Sequence, residues 1–146
     1  MKKPLMFVMA SLLVIFFSCL AGASLHPGSA GEAAGQAKDN GLGPVKSLTL
    51  GAVDKGQADK GKAIFEDKCA MCHSLTDDKT GPALGNVLGQ VTPEFVMNFL
   101  LNTSEMEQKD QKILGLIKKF GVPMPPPGLD QDQARSVLEY LRTTKK

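Results

Sequence analysis

Cys69-Ala70-Met71-Cys72-His73 places two thiols and an imidazole within five positions, and the reading of that stretch decides what is built around it. CxxC followed at once by histidine has three chemical readings. A thioredoxin-like redox pair needs its CxxC at the start of a helix that follows a strand, yet Asp59 to Lys68, just ahead of Cys69, has helical patterning and no alternating or β-branched run. A structural zinc site needs a second knuckle, whereas the only other cysteine and histidine, Cys19 and His26, lie far upstream in a stretch of different composition. The remaining reading is covalent attachment of a c-type haem, for which CxxCH is the sequence pattern. Both thiols add across the haem vinyl groups and the adjacent histidine reaches the iron.

Attachment of this kind is expected outside the cytoplasm, and the N-terminus agrees. Lys2 and Lys3 precede an apolar run from Leu5 to Phe17 and then small residues from Ser18 to Ser24, the three-part pattern of a secretory signal. The run is short of the roughly 20 apolar residues of a membrane span. Two endings are open. Ala21-Gly22-Ala23 suits cleavage before Ser24, while Phe16-Phe17-Ser18-Cys19 resembles a bacterial lipobox, with an unusual aromatic pair, that would leave Cys19 as a lipid-bearing first residue. Residues 24–43 are rich in Gly, Ala and Ser with almost no large apolar side chains, the composition of a flexible tether. The chain therefore divides into a signal (1–23), a tether (24–43) and a single domain (44–146).

Charge excludes one class of partner. The chain has 17 Lys+Arg against 15 Asp+Glu, and removal of Lys2 and Lys3 with the signal brings the two into balance. A nucleic-acid binder would show a basic stripe and a domain pI above about 9. The local pairs Lys109 with Lys112 and Lys118 with Lys119 read as solvated helix faces, or, if they rim a haem edge, as a means of steering an acidic redox partner.

The domain reads as all-α. One helix runs from Gln57 to Cys69, with the CxxCH at its C-terminal end. Thr92 caps a second, with Pro93 in first position. Ser104 and Glu107 form a capping box for a third, whose apolar Ile113, Leu116, Ile117 and Phe120 recur at helical spacing until Gly121. Asp130 with Gln133 opens the last, with Ala134, Val137, Leu138 and Leu141 on one face. Pro44 to Val53 reads as an extended arm packed on the domain. Aromatic content is low, with no Trp and one Tyr, so a buried haem would supply apolar area and stabilise the fold by linkage.

On these residues the chain resembles the class I monohaem cytochromes c. Gly61 and Phe65, eight and four residues before Cys69, match the small and aromatic pair on that family's N-terminal helix. Val137, Tyr140 and Leu141 match the C-terminal helix that crosses it. Gly81-Pro82-Ala83-Leu84 is similar to the family's loop beneath the haem. The resemblance implies that the Pro82 carbonyl accepts the Nδ1 proton of His73, leaving Nε2 for iron, and that Leu84 packs on the porphyrin. The implied fold is a small cytochrome c-like one, helices wrapped around one covalently bound haem.

Downstream of His73 there is no histidine, so a sixth ligand must be sought among the methionines. Met71 lies inside the attachment turn, Met97 among the apolar positions of a helix and Met106 in a charged helical turn, which makes each of them packing or surface. Met124 sits in Gly121-Val122-Pro123-Met124-Pro125-Pro126-Pro127-Gly128, where prolines stiffen the loop between two helices. The family's ligand is likewise a methionine followed by proline just ahead of the last helix. His/Met ligation fills both axial positions and raises the potential, which implies outer-sphere transfer of single electrons between redox proteins such as a terminal reductase or oxidase, by a monomer that performs no catalysis of its own. The alternatives are a haem-based sensor or peroxidase-like enzyme, which would need distal donors, and the electron-entry subunit of a larger membrane complex. The segment Thr92 to Phe120 also resembles small cytochromes encoded beside bacterial nitrous oxide reductases. A lipid anchor predicts a mature protein that begins at an acylated Cys19; an intact mass corresponding to an N-terminus at Ser24 would overturn it.

Overall fold

The computed structural model describes residues 39–144; the signal and most of the tether lie outside the described residues. Five α-helices and one short 3₁₀ turn follow in order: α1 (Lys55–Lys68), the turn Val87–Gly89, α2 (Pro93–Leu101), α3 (Thr103–Lys109), α4 (Gln111–Phe120) and α5 (Gln131–Thr143). Among the described residues there is no strand. No helix there is long and apolar enough to cross a membrane.

The frame is the crossing of α1 with α5. Gly61 is buried in α1, and a Cβ at that position would run into the Ser136 carbonyl oxygen of α5. Only glycine lets the two backbones come this close. One turn on, Phe65 meets Tyr140 with ring centroids 5.5 Å apart at 59°, a tilted pair that contributes about 0.5–1.5 kcal/mol beyond its buried area. Ala134, Val137, Leu138 and Leu141 are all buried in the core beneath the crossing.

Local signals set the helix ends. Asp54 caps α1 through a 3.0 Å bond from the Gln57 amide, so the helix starts two residues earlier than its apolar pattern suggests. Thr92 accepts from the Phe95 amide, and Asp130 with Gln133 forms a complete capping box. The expected third helix, however, is two. Asp110 adopts an extended conformation, and its carboxylate accepts from the amides of Lys112 and Ile113 while its own amide closes α3 on the Met106 carbonyl. An aspartate that offers the backbone a competing acceptor interrupts the helix it sits in. Ser104 and Glu107 consequently form no capping box: α3 begins after Asn102, and Glu107 bonds elsewhere.

The arm is extended and pinned. Asn98, 1% exposed, accepts from the Val45 amide at 2.8 Å and donates to the carbonyls of Val45 and Asn40 at 2.8 Å each. A buried amide left unsatisfied would cost about 1–3 kcal/mol. The end of the stretch read as a tether, 39–43, packs on the domain as well: Thr92 Oγ1 donates to the Asp39 carbonyl, and Lys112 pairs with the Asp39 carboxylate at 2.7 Å. Residues 39–43 thus pack with the domain, held by Thr92 and Asn98 on their backbone and by Lys112 on the Asp39 carboxylate.

Glu139 joins α5 to the end of the arm. Its side chain is 1% exposed and pairs with Arg135 and Arg142 at 2.7 Å each, and it accepts from the Asp54 amide. Arg142 also donates to the Gly51 carbonyl. Burial alone would raise the Glu139 pKa, but the hydrogen bonds from Arg142, Arg135 and Asp54 outweigh it and hold the carboxyl below its ordinary 4.5. A depressed carboxylate pKa stabilises the fold above its unfolded value and loses that contribution as pH falls through the folded value. Glu139→Gln is therefore expected to cost about 2–3 kcal/mol at pH 7 and to flatten the loss of stability below about pH 4.5, the ordinary carboxyl value. Urea unfolding from pH 7 to pH 3 checks both.

Candidate functional site: a haem cleft

The attachment motif is wound off the end of α1. Helix α1 closes with the Cys69 and Ala70 amides both on the Phe65 carbonyl, and the Cys72 and His73 amides then fold back onto the Cys69 carbonyl. Cys69 is buried, Cys72 half-buried, and both thiols are free. Burial pushes the Cys69 thiol up, against a smaller opposing pull from Lys68, the opposite of the lowered value that activates a thiolate.

The following loop brackets His73. On one side the Gly81 amide bonds the Cys72 carbonyl at 2.9 Å, and on the other the Leu84 amide bonds the Ser74 carbonyl at 2.8 Å. Between them the Pro82 carbonyl lies 2.8 Å from His73 Nδ1. A carbonyl can only accept, so the proton sits on Nδ1 and the lone pair on Nε2. Gly81 backs the ring, and a Cβ there would collide with it. The loop is held to α4 by Lys119, 3.0 Å from Asp78, an exposed pair of small energetic value.

Cys69, Cys72 and His73 open onto a cleft walled by apolar side chains, among them Phe65, Leu84, Val96, Phe99, Ile117 and Phe120. Met124 lines the same cleft from the proline loop. The other methionines among the described residues do not: Met97 and Met106 are 1% and 0% exposed within the core, and Met71 is 88% exposed. The structure therefore brings together Cys69, Cys72, His73, Pro82, Leu84, Phe65 and Met124, all named from the sequence; Cys19 lies outside the described residues. Two thiols at the rim, an imidazole with its free nitrogen oriented by a backbone carbonyl, and apolar walls fit a covalently bound haem.

Similarity decides the family. Residues 58–145 match the cytochrome c family model. The chain belongs to the cytochrome c family. Such a cytochrome c carries one covalently attached haem c and serves as an electron carrier. It is 29% identical over 90 residues, 61% of this chain and 70% of the relative, to a cytochrome c-553-like protein of Synechocystis. Its fold is similar to that of a cytochrome c from Rhodothermus marinus, with a TM-score of 0.68 and 37% identity across 70% of this chain and 89% of that one. An engineered form of the Rhodothermus protein, bound to a carbene intermediate, matches with a TM-score of 0.65 at 37% identity over the same shares.

Three polar residues that organise this cytochrome c went unread in the sequence. Asn98 and Glu139 sit in apolar stretches of α2 and α5; Asn98 bonds Val45, 53 residues away, and Glu139 adds to its helix neighbours Arg135 and Arg142 a bond to Asp54, 85 residues away. Glu107 reads in the sequence as half of a capping box, and its place near a helix C-terminus, where the helix dipole disfavours a carboxylate, appears only once α3 is seen to end at Lys109. The lysine clusters are largely matched within the chain: Lys109 with Glu105, Lys112 with Asp39 and Lys119 with Asp78. Gly81→Ala is expected to displace the His73 ring at a cost of about 1–3 kcal/mol, measured as a lowered denaturant midpoint of the haem-loaded protein.

Proposed function

We propose that this cytochrome c is an exported, membrane-held monomer that passes single electrons between redox proteins, with the haem attached through Cys69 and Cys72 and its iron held by His73 and Met124. The observation that carries the reading is the Pro82 bond to His73 Nδ1, which leaves Nε2 as the iron-facing nitrogen in a cleft that also holds Met124. A haem held there by Cys69, Cys72, His73 and Met124 would supply a one-electron iron couple, and exchange with partners would be outer-sphere.

The chain contributes rigidity. Pro82 and Gly81 restrain the imidazole, and Phe65 and Leu84 give the cleft apolar walls. Pro123 and Pro125 restrict the backbone on either side of Met124. Ligands that do not rearrange between oxidation states keep the reorganisation energy small. A sensor or peroxidase-like enzyme would need polar donors on the face opposite His73. The two arginines of the domain, Arg135 and Arg142, are instead engaged with Glu139. Export is supported by the signal pattern of residues 1–23, and anchoring by Cys19 and the tether composition of residues 24–43. The partner is a redox protein, with a membrane-associated terminal reductase or oxidase the class that suits an anchored carrier.

Met124→Ala is expected to abolish the weak methionine-to-iron band of the oxidised protein, lower the reduction potential and allow rapid carbon monoxide binding to the reduced form. A redox-difference spectrum of protein purified from an exporting host reads the first two. Persistence of the band in the variant would refute Met124 as ligand, and rapid carbon monoxide binding to the unaltered protein would favour the sensor or enzyme.

A further inference from the structure

Between Val122 and Leu129 the chain makes no backbone–backbone hydrogen bond among the described residues. Prolines at 123, 125, 126 and 127 leave Met124 as the one residue in Pro123–Pro127 with an N–H to donate. That single donor is used: the Met124 amide bonds a carboxylate oxygen of Glu107 in α3. It is the one hydrogen bond that ties residues 122–129 to the rest of the described protein.

Glu107 is placed for this and for nothing else. Its neighbour Glu105 pairs with Lys109, whereas Glu107 forms no ion pair among the described residues. It is the one carboxylate in the lining of the haem cleft, beside Phe95, Phe99 and Leu116. Its position in the second half of a seven-residue helix works against the helix dipole, so its retention there draws nothing from α3 itself. The break at Asp110 lets α3 end where it does, with Glu107 facing the loop instead of continuing along one long helix.

We propose that Glu107 is the positioning residue for Met124: its carboxylate clamps the only backbone donor of the proline-framed loop and thereby holds the thioether in the cleft. The proposal rests on the assignment of Met124 as an axial ligand. The prolines stiffen the loop internally but do not place it, and among the described residues no other hydrogen bond registers residues 122–129 against the domain. The bond from Glu107 supplies that register. A carboxylate suits the task, since a charged acceptor strengthens the bond in an apolar cleft.

The test compares Glu107→Ala and Glu107→Gln in the full haem-loaded protein. Alanine removes the acceptor; glutamine keeps an amide oxygen of the same reach. Glu107→Ala should weaken the methionine-to-iron band, lower the potential and speed carbon monoxide binding to the reduced protein by about tenfold or more, the size that loss of one charge-assisted hydrogen bond allows. Glu107→Gln should restore most of the band and the slow binding. A purely structural role would lower the unfolding midpoint while leaving band and binding rate unchanged, and that result would overturn the proposal. Met124→Ala serves as the control: if it keeps the band, the ligand assignment fails, and if it loses the band while Glu107→Ala does not, only the clamp fails. Should Glu107→Ala not fold, amide hydrogen exchange in the unaltered protein decides, because the Met124 amide must be protected, and free exchange there would refute the clamp.

Discussion

Everything in this domain hangs on the close approach of α1 and α5 at Gly61. Because no side chain separates that position from the Ser136 carbonyl, Phe65 and Tyr140 meet one turn later and Cys69 emerges from α1 at the rim of the cleft. A bulkier residue at the crossing would push the helices apart and move the attachment cysteines with α1. The arm reinforces this frame at its open end through Glu139, whose buried carboxylate gathers two arginines and the α1 cap amide.

The two faces of the cleft are hung on the frame by loops that are poor in regular structure. In each, one side chain meeting one backbone group sets the residue that faces the cleft, although backbone bonds from Gly81 and Leu84 also hold the His73 loop. On the His73 side a backbone carbonyl, Pro82, orients a side chain. On the Met124 side the roles reverse, and the Glu107 side chain holds a backbone amide. Proline takes part in both. It retains a carbonyl to accept with, and it removes competing donors, so that the one remaining amide has a single possible use.

Much of this was legible in the sequence because the signals are short-range. CxxCH, the Asp130–Gln133 capping box and the Thr92-Pro93 start each lie within a few residues, so their neighbours in sequence suffice to read them. Ser104 and Glu107 obey the same spacing rule and mislead, since a capping box is only a statement about which acceptors are near which donors. Asn102 takes the position ahead of α3, and Glu107 finds a partner 17 residues away. Asp110 was readable in principle as a cap, but the apolar spacing that runs past it on both sides hid the break.

The sequence alone determined that the domain is helical and of a haem-binding kind, and it named the thiols, imidazole and thioether proposed for the site, because those identities and spacings are local properties of the chain. Only the tertiary structure decided that Asp39 already belongs to the domain, that the third helix divides, and that Asn98, Glu139 and Glu107 are the polar groups that hold arm, frame and ligand loop. Each makes a bond across a distance in sequence that no periodicity encodes, Asn98 to Val45, Glu139 to Asp54 and Glu107 to Met124. A buried polar side chain is specified by whatever donors and acceptors the folded chain brings to it.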